Sequence, residues 1–222
     1  LSWFMPSQTF FNLPVPRQRI IIGSAITEFA NHSYEAASIS SIVSQAKIAK
    51  GSFYQYFEDK QDLYLYLVDL AIEARNSFIA GVNLPSIQAG FFIYLRALFE
   101  AVLAFQLANP AFTQILYRGP NHGDVPFPDE VFKRTNAASI AFMRQCVEEG
   151  IAQGQLAADV NPDIAAFTIV TLGNELRHFI PAHLGLNVKQ LVKEGPELDL
   201  GAIGKILDNF VRTLEYGIGG RH

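Results

Sequence analysis

Residues 38–63 read SISSIVSQAKIAKGSFYQYFEDKQDL, and the fold turns on how this stretch is read. Ser38 suits the N-cap of a short helix, because its hydroxyl can accept one of the backbone N–H groups that a helix start leaves unpaired. Ile39, Ile42, Val43 and Ala46 then recur at helical spacing and predict one buried stripe. A tight turn around Lys47 and Ile48 leads to another short helix from about Lys50 to Tyr56. Asp59 can cap a longer helix that begins near Lys60 and carries Leu63, Leu67, Leu70 and Ala71 inward. Two short helices joined by a tight turn are the geometry of a helix-turn-helix, whose first helix crosses the DNA backbone while the second enters the major groove. In that arrangement Ile39, Ile42 and Val43 pack on Ile48 and Phe53, leaving Lys50, Ser52 and Gln55 outside. The same periodicity would serve any three-helix core, so spacing alone leaves DNA binding open.

Upstream, a Phe-, Asn- and Pro-containing arm runs to Pro16, and residues 17–31 form a helix with Ile21, Ala25, Ile26, Phe29 and Ala30 on one stripe. Leu1 to Phe4 precede Met5 and are set aside. Downstream the elements lengthen, with helices expected at about 86–108, 110–118, 128–153, 162–183 and 200–217. Residues 119–128 and 185–199, rich in Gly, Pro, Asn or Asp, are expected loops. No segment alternates as a strand would, so the fold class is all-α. The expected organisation is an arm over 1–16, a helix-turn-helix domain over 17–62 and a larger helical domain over 63–222.

Composition agrees with an ordered globular chain: 222 residues, half of them apolar and 17% charged. The 18 Phe and 8 Tyr leave room for an aromatic-lined cavity. A single cysteine, Cys146, excludes an internal disulfide and a cysteine-based zinc cluster. With no secretory signal visible, a cytoplasmic location is expected. The most lipid-like stretch, 89–108, is broken by Arg96, Glu100 and Gln106 and reads as a buried amphipathic helix, with no membrane partner expected. The net charge of −4 conceals an asymmetry, since Arg17, Arg19, Lys47 and Lys50 against Glu28 and Glu35 give +2 up to Phe57 and leave −6 for the rest. A mildly basic head on an acidic body suits a site-specific DNA binder with a small contact surface.

The quoted stretch also resembles the signature of the TetR/AcrR regulators. A hydroxyl residue caps the second helix, an Ile pair and an Ala at the turn follow, and G-x-x-Y-x-Y-F-x-x-K-x-x-L is met by Gly51, Tyr54, Tyr56, Phe57, Lys60 and Leu63. The resemblance covers residues 17 to about 65. Three positions depart from it: Lys47 stands where Gly is common, Ala49 where Ser or Thr usually caps the recognition helix, and Val43 where Ala is frequent. Lys47 should therefore carry a left-handed backbone, and the recognition helix should lack its side-chain cap.

This resemblance implies a sequence-specific regulator, by family default a repressor, that binds near-palindromic operator DNA as a homodimer and responds to a ligand. It places Lys60, Tyr54, Tyr56 and the hydroxyl of Ser38 or Ser40 beside the phosphate backbone. Base reading falls to Lys50, Ser52 and Gln55, because Lys can donate to guanine O6 and N7 while Gln suits adenine N6 and N7. Gly51 lets the helix approach closely. Each residue also has a structural reading: Tyr54 and Phe57 as core aromatics, Lys60 as a solvated first-turn lysine, Arg17 and Arg19 as exposed charges.

In the last two helices, Phe167, Ile169, Val170, Leu172, Leu176 and Phe179, and then Ile203, Ile206, Leu207, Phe210, Val211 and Leu214, present more apolar surface than a thin body can cover. TetR-like proteins pair these helices across a two-fold axis, which makes Phe167, Val170, Phe179, Leu207, Phe210 and Leu214 candidate dimer contacts; an ordinary monomer core is the alternative. A cavity among the middle helices would draw on Phe91, Tyr94, Phe99 and Phe142, with Tyr117, Asn174 and Arg177 as polar anchors, for a small apolar or aromatic effector.

Two rival classes remain. Glu175 and His178 form an E-x-x-H pair, but a di-iron bundle needs a second such pair and further carboxylates. No nucleophile motif, Walker loop or Rossmann glycine pattern occurs, so neither an enzyme nor a cofactor is expected. Metal or redox sensing through Cys146, His178 or His183 is the other class, against which a lone helical Cys usually reads as a small hydrophobe. DNA binding controlled by a protein partner, with no small-molecule effector, is a further variant.

Overall fold

Two of the helices start where a capping side chain places them. Ser38 has extended backbone and its Oγ accepts from the Ser41 N–H, starting one helix. Asn161 accepts from the N–H groups of Asp163 and Ile164, with Pro162 in the first turn, starting another. The computed structural model describes residues 6–122, 126–185 and 200–217, and every regular element among them is helical. In chain order these are α1 (Gln8–Phe11), α2 (Val15–Asn31), α3 (Ile39–Gln45), α4 (Lys50–Tyr56), α5 (Lys60–Ala80), α6 (Phe91–Ala108), α7 (Pro110–His122), α8 (Pro128–Ala152), α9 (Pro162–His183) and α10 (Leu200–Tyr216), with a 3-10 turn at Ile87–Ala89.

The sequence-based helices recur with three differences. The arm, to which the sequence assigns no helix, holds α1, with Phe10 in a fully buried site. The helix expected from 86 is broken by the 3-10 turn and by Gly90, whose φ of 150° ends that turn before α6 starts. The fourth turn of α7 extends into the loop expected over 119–128, while 123–125 and 186–199 lie outside the described residues.

The chain divides into two compact units, the first formed by Leu1–Ser77 with Asn109–Thr135 and the second by Phe78–Ala108 with Asn136–His222. In the first, α2 packs on α3 and α7, and α3 packs on α4. Its core includes Ile21, Phe29, Ile42, Phe53, Phe57 and Leu63. The Tyr64 hydroxyl donates to the Ile115 carbonyl at 3.1 Å, and Arg134 joins Asp69 to Glu130, so α7 and the start of α8 are fastened to α5 within this unit.

The second unit packs α6 and α9 against α10 around Phe91, Leu95, Phe99, Met143, Val147, Ile169, Ile203 and Leu207. By length and composition α6 could cross a membrane, yet Phe91, Leu95, Phe99, Ala101 and Phe105 on it are buried within the protein. Phe99 meets Phe210 edge-on, with ring centres 5.3 Å apart, and lies so close to α9 that a Cβ added at Gly173 would stand 2.4 Å from its ring. Cys146 is buried in this core, and burial, followed by the Glu149 charge, pushes its thiol pKa up, away from the reactive thiolate.

Candidate nucleic-acid interface

The turn between α3 and α4 carries the strain that its sequence implies. Lys47 has φ 53°, in the left-handed region, where most side chains cost about 1–2 kcal/mol. Arg17 on α2 braces this turn, its Nη2 donating to the Lys47 carbonyl at 2.7 Å. The expected loss of the cap is also present, since Ala49 offers α4 no side-chain bond.

α4 is divided along its length. Phe53 and Tyr56 face the core, with Phe57 just beyond them, while Lys50, Gly51, Tyr54 and Gln55 are exposed and Ser52 is half-buried. Tyr54 is 53% exposed, which sets aside the core reading of that ring, whereas Tyr56 is 9% exposed and serves packing more than display. A Cβ at Gly51 would meet nothing within 4 Å. Among the described residues no neighbour requires this glycine, although glycine weakens a helix by up to about 1 kcal/mol relative to alanine. Gly51→Ala is therefore expected to raise the thermal stability of the free protein slightly and to weaken operator binding roughly tenfold, read by a melting curve and a DNA titration on the same variant.

On α3, Ser40 is exposed, whereas the Ser38 Oγ accepts from Ser41 N at 3.4 Å and so serves as the cap. Lys60 differs most from its expected placement. Its ammonium donates to the carbonyls of Tyr34 at 2.8 Å, Glu35 at 3.3 Å and Ala37 at 3.3 Å, and lies 4.5 Å above the Tyr34 ring centre. An ammonium has three protons, so these carbonyls match its full donor capacity and a phosphate would have to displace one. Lys60 is half-buried and holds the α2–α3 loop.

Glu28 was counted in the sequence only as a charge. Its carboxylate, on a residue 4% exposed, accepts from the Ser41 hydroxyl at 2.7 Å, from Ser38 N–H at 2.9 Å and from Gln45 Nε2 at 3.4 Å. Burial alone would raise its pKa, but these bonds and the nearby His32 together hold it below the ordinary 4.5. A depressed carboxylate pKa stabilises the fold above the unfolded-state value, and that contribution is lost as pH falls through the folded pKa. Glu28→Gln is accordingly expected to destabilise by about 1–3 kcal/mol at neutral pH, with a deficit that shrinks on acidification below the ordinary carboxylate range, in denaturant titrations at several pH values.

The expected ligand residues differ in exposure. Phe91 and Phe99 are core, Tyr94 is half-buried and Phe142 is 47% exposed; the Tyr117 side chain lies outside the described residues. Asn174 Nδ2 donates to Asn136 Oδ1 at 2.8 Å, and Arg177 Nη1 to the Asn174 carbonyl at 2.6 Å, so these polar groups tie α9 internally and to α8. The second unit does contain an open groove of about 1180 Å³ between α6 and α10, with Phe92, Ile93, Arg96, Asp208, Arg212 and Tyr216 in its lining. None of the expected ligand residues lines it.

For the dimer candidates, Phe167 and Phe179 are about half exposed on α9, joined by Ile164 and Leu172, the first of which the sequence reading missed. Val170, Phe210 and Leu214 are partly buried at the edge of the core. Leu207 is 2% exposed and belongs to the protomer's own core: it shares the inward stripe of α10 with Ile203 and Val211. Glu175 and His178 are exposed; Glu175 lies 3.7 Å from Arg177, and among the described residues no group of three or more His, Cys, Asp or Glu is placed to hold a metal.

A strained turn, an outward recognition face and a three-helix support define a helix-turn-helix DNA-binding protein. Comparison with known proteins gives the family. Residues 21–67 match the model of bacterial regulatory proteins of the tetR family, and residues 89–212 match a tetracyclin repressor-like C-terminal domain. A TetR family transcriptional regulator of Chloroflexus aurantiacus is 37% identical, with 98% of this chain and 100% of that one covered and a TM-score of 0.76. The Bacillus subtilis HTH-type transcriptional regulator YhgD is 21% identical over 90% of this chain and 96% of its own. The fold is also shared with the Bacillus subtilis transcriptional regulator FadR, solved in complex with stearoyl-CoA, at 17% identity, 90% and 98% coverage and a TM-score of 0.65. The chain belongs to the TetR family of DNA-binding transcriptional regulators.

Proposed function

We propose that the protein is a homodimeric repressor that binds a near-palindromic operator in the cytoplasm and is released from it by a small apolar or aromatic effector. The observation that carries this reading is α4: Lys50, Tyr54 and Gln55 point outward from a helix whose Gly51 no described neighbour requires. Lys50, Ser52 and Gln55 read bases, while Tyr54 and Ser40 approach phosphates, with Tyr56 and Ser38 supporting them from behind. Lys60 acts indirectly, by holding the loop that leads into α3.

The apolar side chains left exposed on α9 supply the dimer contact, with Phe210 and Leu214 at its edge. The effector binds the body formed by 63–222. The shared fold with a regulator solved with stearoyl-CoA supports starting with lipophilic acyl compounds. Selection of operators from random DNA tests the first half of the proposal and should return inverted repeats. Titrating candidate acyl compounds against the complex tests the second: an effector must weaken operator binding, and by linkage operator must weaken effector binding by the same factor. A compound that stabilises the protein yet leaves operator affinity unchanged is not the effector.

A further inference from the structure

We infer that the segment Ser7–Leu13 is a positioning element for the recognition helix, which it fastens at the C-terminal end so that DNA specificity depends on residues that never touch DNA. The inference rests on reading α4 as the recognition helix. α4 is seven residues long, without a side-chain cap and preceded by a left-handed lysine, a combination too short and too weakly started to hold its own shape. Its last carbonyls have no partner within the helix. Ser7 supplies two: its N–H donates to the Tyr56 carbonyl at 2.8 Å, and its Oγ–H donates to the Gln55 carbonyl.

Three residues on, Phe10 is fully buried and packs against Tyr56, Phe57 and Tyr66, with ring centres 6.1, 5.2 and 6.1 Å away. The segment is itself tied down, since Gln18 Nε2 donates to the carbonyls of Phe11 at 3.2 Å and Leu13 at 2.8 Å. With Arg17 holding the turn at the other end of α4, both ends of the recognition helix are fixed by residues from the start of the chain. Gln55 has its carbonyl in the clamp and its side chain exposed, so the clamp sets the aim of a base-reading residue directly.

The test uses full-length Phe10→Ala, Phe10→Leu and Ser7→Ala proteins with two readouts: amide hydrogen exchange, and affinity for the selected operator against random DNA. Phe10→Ala should speed exchange selectively at the α4 amides and lose about tenfold in operator affinity with random-DNA affinity nearly unchanged, Phe10→Leu recovering most of both. Exchange that rises evenly through α2, α3 and α5, or equal loss on both DNAs, would overturn the inference and make Phe10 an ordinary core residue. If Phe10→Ala does not fold, Ser7→Ala decides by the same two readouts, with smaller expected changes of the same pattern. If exchange changes as stated but the unaltered protein prefers no DNA sequence, the DNA-binding reading fails while the fastening of α4 stands.

Discussion

Phe167→Asp is expected to convert a dimer into a monomer and to lower operator affinity by at least about a hundredfold, the scale lost when two tethered half-site contacts become one. Phe167 is 50% exposed on the protomer, so the substitution leaves little of the protomer's core unfilled. In a paired α9 surface, however, it would bury an unpartnered carboxylate, which an apolar contact cannot tolerate. Phe179, 53% exposed on the same helix, should behave the same way. Leu207→Asp provides the contrast: with only 2% exposure it should unfold the second unit rather than produce a folded monomer. Sedimentation with circular dichroism separates the cases, and a Phe167→Asp protein that remains dimeric would place the interface elsewhere.

Lys50→Ala and Gln55→Ala should each cost roughly 1–3 kcal/mol per contact on the selected operator and much less on an operator altered at the base being read. Both side chains stand free of the core, so the protein's own stability should change little. Two-fold symmetry doubles each effect on a palindrome. Uniform loss on all sequences with intact preference would mean that these residues contact phosphates, leaving base reading to other positions. Lys60→Ala does not isolate phosphate binding, because the ammonium also bonds carbonyls of the protein itself. Removing its ammonium takes a donor from three carbonyls of the 34–37 loop, so a loss of stability is expected beside any effect on DNA.

What the sequence made legible follows from how local each cause is. The helix-turn-helix could be read because capping, apolar spacing and the turn residue all act within a few positions, and the left-handed Lys47 was deducible from a departure at one site. Glu28 was not, because its partners Ser38, Ser41 and Gln45 lie on another helix. The available signal was an acidic residue on the same stripe as Ile21, Ala25 and Phe29. Phe10 was missed for the same reason: the aromatic residues that bury it are more than forty positions away. In the body, periodicity identified which helix faces are apolar but not which part of that surface the protomer uses itself. Leu207 went inward and Phe167 did not, a choice made by the packing of α6, α9 and α10 together.

The approach of the Phe99 ring to Gly173 makes those two positions a single unit of variation. An alanine at 173 requires the Phe99 ring to shift, and a smaller residue at 99 leaves a void while 173 remains glycine. Among relatives sharing this helix pair, a side chain gained at one position should accompany volume lost at the other. Homologues that carry only half of that exchange should be rare.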